Sequence, residues 1–107
     1  MSKGGEGLML ERLISEGAEF EGKAVEVNYG TQKHISGLEF ETWIASAIFY
    51  LEQHHLKSSL AQKVIQINKD TNYNSYEKYL VLLATLKAAA DIEKNQADSF
   101  DYTSLNN

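Results

Sequence analysis

Apolar residues recur every three or four positions along four stretches of this chain, and that period suits an amphipathic helix and does not suit a strand. Three of the stretches open with a polar capping residue followed three positions later by Glu or Gln: Ser36 with Glu39, Ser59 with Gln62, and Asn74 with Glu77. In such a pair the first side chain accepts from a free N–H of the first turn while the second reaches back, so helix starts are encoded locally. The spacing predicts helices over about residues 8 to 20, 37 to 55, 59 to 69 and 75 to 95, with boundaries good to about 2 to 4 residues. Between the first two, Val25, Val27 and Tyr29 alternate with Glu26 and Asn28, bracketed by Gly22 and Gly30, which is the period of a half-buried strand. This segment either pairs with residues near Lys33 to Ile35 in a small hairpin or crosses the bundle extended, and the extended crossing is the preferred expectation. The fold class expected is therefore all-α: one four-helix bundle-like domain over residues 1 to 107, with its core between about 8 and 95 and polar, frayed termini.

The helix faces carry most of the information. Leu10, Leu13, Ile14 and Gly17 share one side of the first helix, where Gly17 serves either as a close-approach point or as an early C-cap. Phe40, Trp43, Ile44, Ala47, Ile48 and Leu51 make a broad stripe on the second, expected to supply the largest share of the core. The same helix also bears Ala45 and Phe49, with Leu56 beyond, on its far side. On the last helix, Tyr76, Tyr79, Leu80, Leu83, Leu86 and Ala90 form one face, and Val81, Ala84, Ala88 and Ile92 a second. Helices that are apolar on two sides are either central to a bundle or carry a surface for a partner. Val81, Ala84, Ala88, Ile92 and Phe49 are accordingly the candidate interface.

Catalytic and metal chemistry is hard to place. Asp70, Asn72 and Asn74 stand where a calcium loop begins, but Ser75 occupies the position that needs Gly and Val81 the one that needs a bidentate Glu. His54 and His55 are adjacent and lack the spacing of a zinc helix motif, so a solvated helix end is expected for them. His34 falls in a loop without a visible partner. There is no cysteine, hence no thiolate nucleophile, disulfide or Cys-bound zinc, and no Gly-rich phosphate loop or G-x-S-x-G. No catalytic, cofactor or metal site is expected. Glu11, Glu16, Glu19 and Glu21 read as a solvated face. A formal charge of -5 disfavours binding to nucleic acid or anionic lipid, and no apolar run reaches membrane-spanning length, so a cytoplasmic protein is expected.

The strings LERLISEGAEFEG, ETWIASAIFYLEQH and YEKYLVLLATLKAAADIEKN together resemble a small helical domain of bacterial abortive-infection-type (phage-defence) proteins, over about residues 8 to 95. The resemblance implies an accessory module placed ahead of an effector domain. Leu13, Ile14, Gly17, Trp43, Leu83, Leu86 and Lys87 match it as packing or turn positions, and it brings no catalytic motif. The chain departs from that group by stopping shortly after Asn95, so it is expected to be either a stand-alone relative or a piece of a longer protein. The function expected is a noncatalytic protein-interaction or regulatory module whose partner is another protein, a second copy or a downstream effector domain. Two other readings are a small-ligand-binding bundle or minor enzyme, with a pocket between Trp43, Tyr76 and Tyr79 served by His54 or His55, and an acidic mimic of nucleic acid, for which the charge is mild.

Overall fold

The computed structural model describes residues 2–106, with side chains from residue 8 to residue 95. The order is α1 (Ser2–Glu19), a 3-10 turn (Phe20–Lys23), β1 (Val25–Val27), β2 (Gln32–His34), α2 (Leu38–His54), α3 (Ser59–Lys69) and α4 (Ser75–Asn106). The chain is all-α apart from the small two-stranded sheet between the first two helices. α2, α3 and the start of α4 fall within a residue of the positions their periodicity predicts. The frayed ends expected at the termini fall on residues whose side chains lie outside the described set; the backbone is helical from Ser2 and up to Asn106. With no proline in the chain, nothing in the sequence sterically ends those helices sooner.

Two of the three expected caps are displaced. The box at Asn74 forms in full: Glu77 N donates to Asn74 Oδ1 and Asn74 N donates to Glu77 Oε1, both at 2.9 Å. α3 is capped one residue earlier than expected, by Ser58, whose Oγ accepts from Ala61 N. Ser36 caps nothing. α2 is preceded by Gly37 at φ 117, and Glu39 reaches Lys23 at 3.4 Å instead. Asn74→Ala is expected to lower stability by about 0.5 to 2 kcal/mol, the range for losing a helix cap, as measured by chemical denaturation.

Contrary to the expected extended crossing, residues 25–34 form an antiparallel hairpin with Val25 opposite His34, Glu26 opposite Lys33 and Val27 opposite Gln32. Turn chemistry decides this. Asn28, Tyr29 and Gly30 all take positive φ (54, 59 and 84), Gly30 N donates to Val27 O and Thr31 N to Asn28 O. Asn and Gly tolerate that region, so a four-residue loop reverses the chain where alternation alone shows only a strand. β2 then ties the hairpin to α4, because Ile35 is buried and its N–H donates to Ser75 Oγ at 2.9 Å.

The core lies where the four helices meet. α1 and α2 run antiparallel, with Phe20 against Phe40 at one end and Leu13 beside Trp43 farther along. Phe20, Phe40, Trp43 and Tyr79 form one aromatic cluster with ring centroids 5.3 to 6.2 Å apart. Trp43 Nε1 donates to Leu13 O at 2.8 Å and Tyr79 Oη to Gly17 O at 2.7 Å, so both buried polar tips are satisfied by backbone carbonyls of α1. Gly17 is the close-approach point: a Cβ there would lie 2.4 Å from Trp43 Cζ2. Ala47 and Leu51 are buried as their stripe predicts, while Tyr50, expected on no core face, is buried to the same degree.

On α4 the buried line is Tyr79, Leu82, Leu86 and Ala89. Leu83 and Ala90 flank it on one side, Val81 and Ala88 on the other, all half-buried. The two predicted faces are thus the shoulders of a single core face, and Leu80, expected inside, is exposed because it sits about 200° around the axis from Leu82.

Candidate functional site

α3 packs against α4, and their exposed sides form a shallow groove of about 450 Å³ lined by Leu60 and Lys63 from α3 and by Leu80, Val81, Ala84 and Ala88 from α4. Three of the five candidate interface residues, Val81, Ala84 and Ala88, therefore share one concave apolar surface. Ala84 is its most outward point, and the small side chains at 84 and 88 leave the α4 backbone open to close approach. Ile92 lies one turn beyond, beside a void of about 10 Å³ that also touches Leu51, His55 and Thr85. Phe49 is not part of this groove. It stands 60% exposed on α2, across the bundle, beside Met9 and Ala45.

Leu60 and Leu80 complete the groove and were not assigned to it from the sequence. Leu60 lies in an otherwise polar first turn of α3, and Leu80 shares a helical face with core residues. Only the docking of α3 on one shoulder of α4 makes them neighbours.

Of the two histidines expected at a solvated helix end, His54 is exposed in the last turn of α2, whereas His55 turns inward. His55 Nε2 and Tyr50 Oη both meet Glu93 Oε2, at 2.7 and 2.6 Å, and His55 is only 10% exposed. His54 lies against the Tyr50 ring, tilted by 44° with centroids 4.5 Å apart. A carboxylate oxygen accepts, so both Nε2 and the phenol direct their protons at Glu93. The trio fastens the C-terminal end of α2 to α4. The void beside His55 has room for no more than about one water. Sequence periodicity could not find this cluster, since Glu93 lies 38 and 43 residues from its partners.

A second polar cluster holds the hairpin. Tyr76 Oη donates to both oxygens of Glu21, Lys33 pairs with Glu21 at 3.6 Å and lies over the Tyr76 ring, and Ser75 Oγ meets His34 Nδ1 at 2.8 Å. The hydrogen bond to Glu21 raises the Tyr76 phenol above its usual value, and burial raises that of Tyr79. Both phenols thus stay neutral and act as donors.

The pocket considered between Trp43, Tyr76 and Tyr79 does not form as a histidine-served site. The Trp43 and Tyr79 rings are buried with centroids 5.7 Å apart, Tyr76 lies tilted against Tyr79 at 5.9 Å, and both histidines sit at the opposite end of α2. In the loop before α4, Asp70 Oδ1 accepts from Asn72 N and Asn74 caps the helix, so these oxygens are engaged in local turns. Among the described residues no group of three or more His, Asp or Glu could hold a metal ion, and no helix is long and apolar enough to cross a membrane. No family model, curated protein or solved structure matches this chain.

Proposed function

We propose that this chain is a noncatalytic protein-interaction or regulatory module acting in the cytoplasm, of the kind that abortive-infection-type bacterial defence proteins place ahead of an effector domain. The observation that carries the reading is the α3/α4 groove, in which Leu60, Leu80, Val81, Ala84 and Ala88 present one continuous apolar surface to solvent. A groove of this kind beside small side chains suits a docking helix, from a second copy or from an effector domain. The polar clusters support the same reading, because their hydrogen bonds hold elements of the fold together. A net charge of -5 disfavours attraction to phosphate backbones, which argues against nucleic acid as the partner.

Self-association is the form of the reading that can be measured on the chain alone. Sedimentation equilibrium is expected to show a concentration-dependent dimer. Ala84→Glu is expected to abolish it while shifting unfolding free energy by less than about 0.5 kcal/mol, as exposed substitutions do. Ala88→Glu acts in the same direction with a larger stability cost, because Ala88 is half-buried. A wild-type chain that stays monomeric at sub-millimolar concentration removes homotypic docking. An Ala84→Glu chain that dimerises as wild type does removes the groove.

A further inference from the structure

The apolar stripe that α2 leaves outside the bundle belongs to a different surface from the α3/α4 groove. Leu38, Thr42, Ala45 and Phe49 fall at i, i+4, i+7 and i+11, so they form one line along the helix. Its ends are the most exposed, Leu38 at 83% and Phe49 at 60%. α1 runs antiparallel beside this line, and two depressions lie in the valley between the helices. One, of about 380 Å³, has Phe20, Trp43 and Leu38 as its apolar wall. The other, of about 360 Å³, lies between Met9, Leu13, Ala45 and Phe49. Ser46 borders both, so the two depressions lie end to end along one valley, the α1/α2 furrow. Eleven residues separate Leu38 from Phe49, which at helical rise is about 16 Å, or three turns of a docked helix.

Carboxylates outnumber cations around this furrow, whose lining holds Glu16, Glu19 and Glu39 against Arg12 and Lys23. Residues 1–52 carry nine carboxylates against four Lys and Arg, whereas residues 53–107 carry six of each. Glu16 and Glu19 stand on the α1 bank and Glu39 on the α2 bank. Glu41 and Glu52 flank the apolar line on its other side by helical spacing, and both are exposed. Arg12 is paired with Glu16 at 3.9 Å and Lys23 with Glu39 at 3.4 Å. Glu19, Glu41 and Glu52 have no ion-pair partner among the described residues.

We propose that the α1/α2 furrow docks a basic amphipathic helix of a partner protein. Its apolar side chains seat along the line from Leu38 to Phe49, and its Lys or Arg residues meet Glu19, Glu41 and Glu52. An apolar floor between two helices is the setting of helix-in-groove recognition, with anchors at i, i+3 or i+4 and i+7. The carboxylate banks select a cationic flank and reject anionic ones, since like charges brought together oppose docking. The same banks oppose a phosphate backbone or an anionic membrane. This surface is distinct from the α3/α4 groove, because the two share no lining residue.

The test uses the full chain and a labelled synthetic helix with Leu at i, i+4, i+7 and i+11 and Lys on both flanks. Fluorescence anisotropy is expected to give saturable one-to-one binding that weakens as salt rises. Leu38→Asp and Phe49→Asp are each expected to weaken it about tenfold or more, as loss of an apolar anchor does, with the melting transition unchanged. Combined Glu19→Gln, Glu41→Gln and Glu52→Gln flattens the salt dependence, and Ala84→Glu, in the α3/α4 groove, keeps the wild-type affinity. A peptide of the same composition with its Leu residues scattered, and one with Glu in place of Lys, are expected not to saturate. Equal binding of the scattered peptide overturns the proposal by reducing it to general charge attraction. Wild-type affinity in Phe49→Asp overturns the placement, and sedimentation of the chain with anionic vesicles overturns the class of partner.

Discussion

Trp43→Ala is expected to remove about 3 to 5 kcal/mol of unfolding free energy, the range for truncating a large buried aromatic. The side chain is 3% exposed, contacts the rings of Phe20, Phe40 and Tyr79, and anchors its indole N–H on the Leu13 carbonyl. The cavity left cannot close readily, because the surrounding rings belong to three different elements and are themselves buried. A domain of this size has about 5 to 15 kcal/mol in total, so the variant sits near the edge of folding at room temperature. Trp43 is the single tryptophan, so the measurement is a denaturant titration followed by far-UV circular dichroism. A loss of less than about 1 kcal/mol would show that the cluster does not hold α1, α2 and α4 together.

Gly17→Val is expected to destabilise by about 3 kcal/mol, the upper part of the range for overpacking. A Cβ at this position would stand 2.4 Å from Trp43 Cζ2, 2.9 Å from Cε2 and 3.0 Å from Leu83 Cδ1. The indole cannot step aside without breaking its bond to Leu13, and α1 cannot withdraw without losing the Tyr79 bond to Gly17. Helix propensity alone predicts the opposite sign, since Gly17 is helical and Ala there would gain about 1 kcal/mol. The decisive comparison is therefore Gly17→Ala in two backgrounds. It is expected to destabilise the wild-type chain and to become neutral or stabilising in Trp43→Phe, where the two indole atoms it meets are gone and only the end of the flexible Leu83 side chain remains near it. A coupling of about 1 to 3 kcal/mol in that cycle identifies steric contact as the cause, and additive effects would refute it.

The same pair belongs to a larger packing set. Gly17, Trp43 and Leu83 meet at one point, and Leu13 and Leu86 are buried on the same helices. Lys87 is exposed and takes no part in that packing. Such a set specifies how three helices approach one another and carries no chemistry of its own.

Number and placement of helices were legible in the chain because a 3.6-residue period and a capping side chain are local signals, written within a few residues of where they act. The Asn74 and Glu77 box and the Phe40 to Leu51 stripe are of this kind. Local signals failed where two neighbours compete. Ser58 and Ser59 are equivalent as sequence, and only the position of the preceding turn selects Ser58 as the cap. The hairpin also depended on residues with positive φ, which alternation does not register.

Tertiary structure alone decided which apolar residues became core and which became surface. A helix apolar on two sides has no intrinsic inside; the docking of α1 on one shoulder of α4 and α3 on the other places Leu82 at the centre and leaves Leu80 and Ala84 outside. The Tyr50, His55 and Glu93 trio and the joining of Leu60 to the α4 groove arise in the same way, from contacts between residues far apart in the chain. Side-chain spacing determines what each helix can offer, but the energy that assigns a face to core or to solvent is area removed from water by another helix. That quantity exists only once the helices have met.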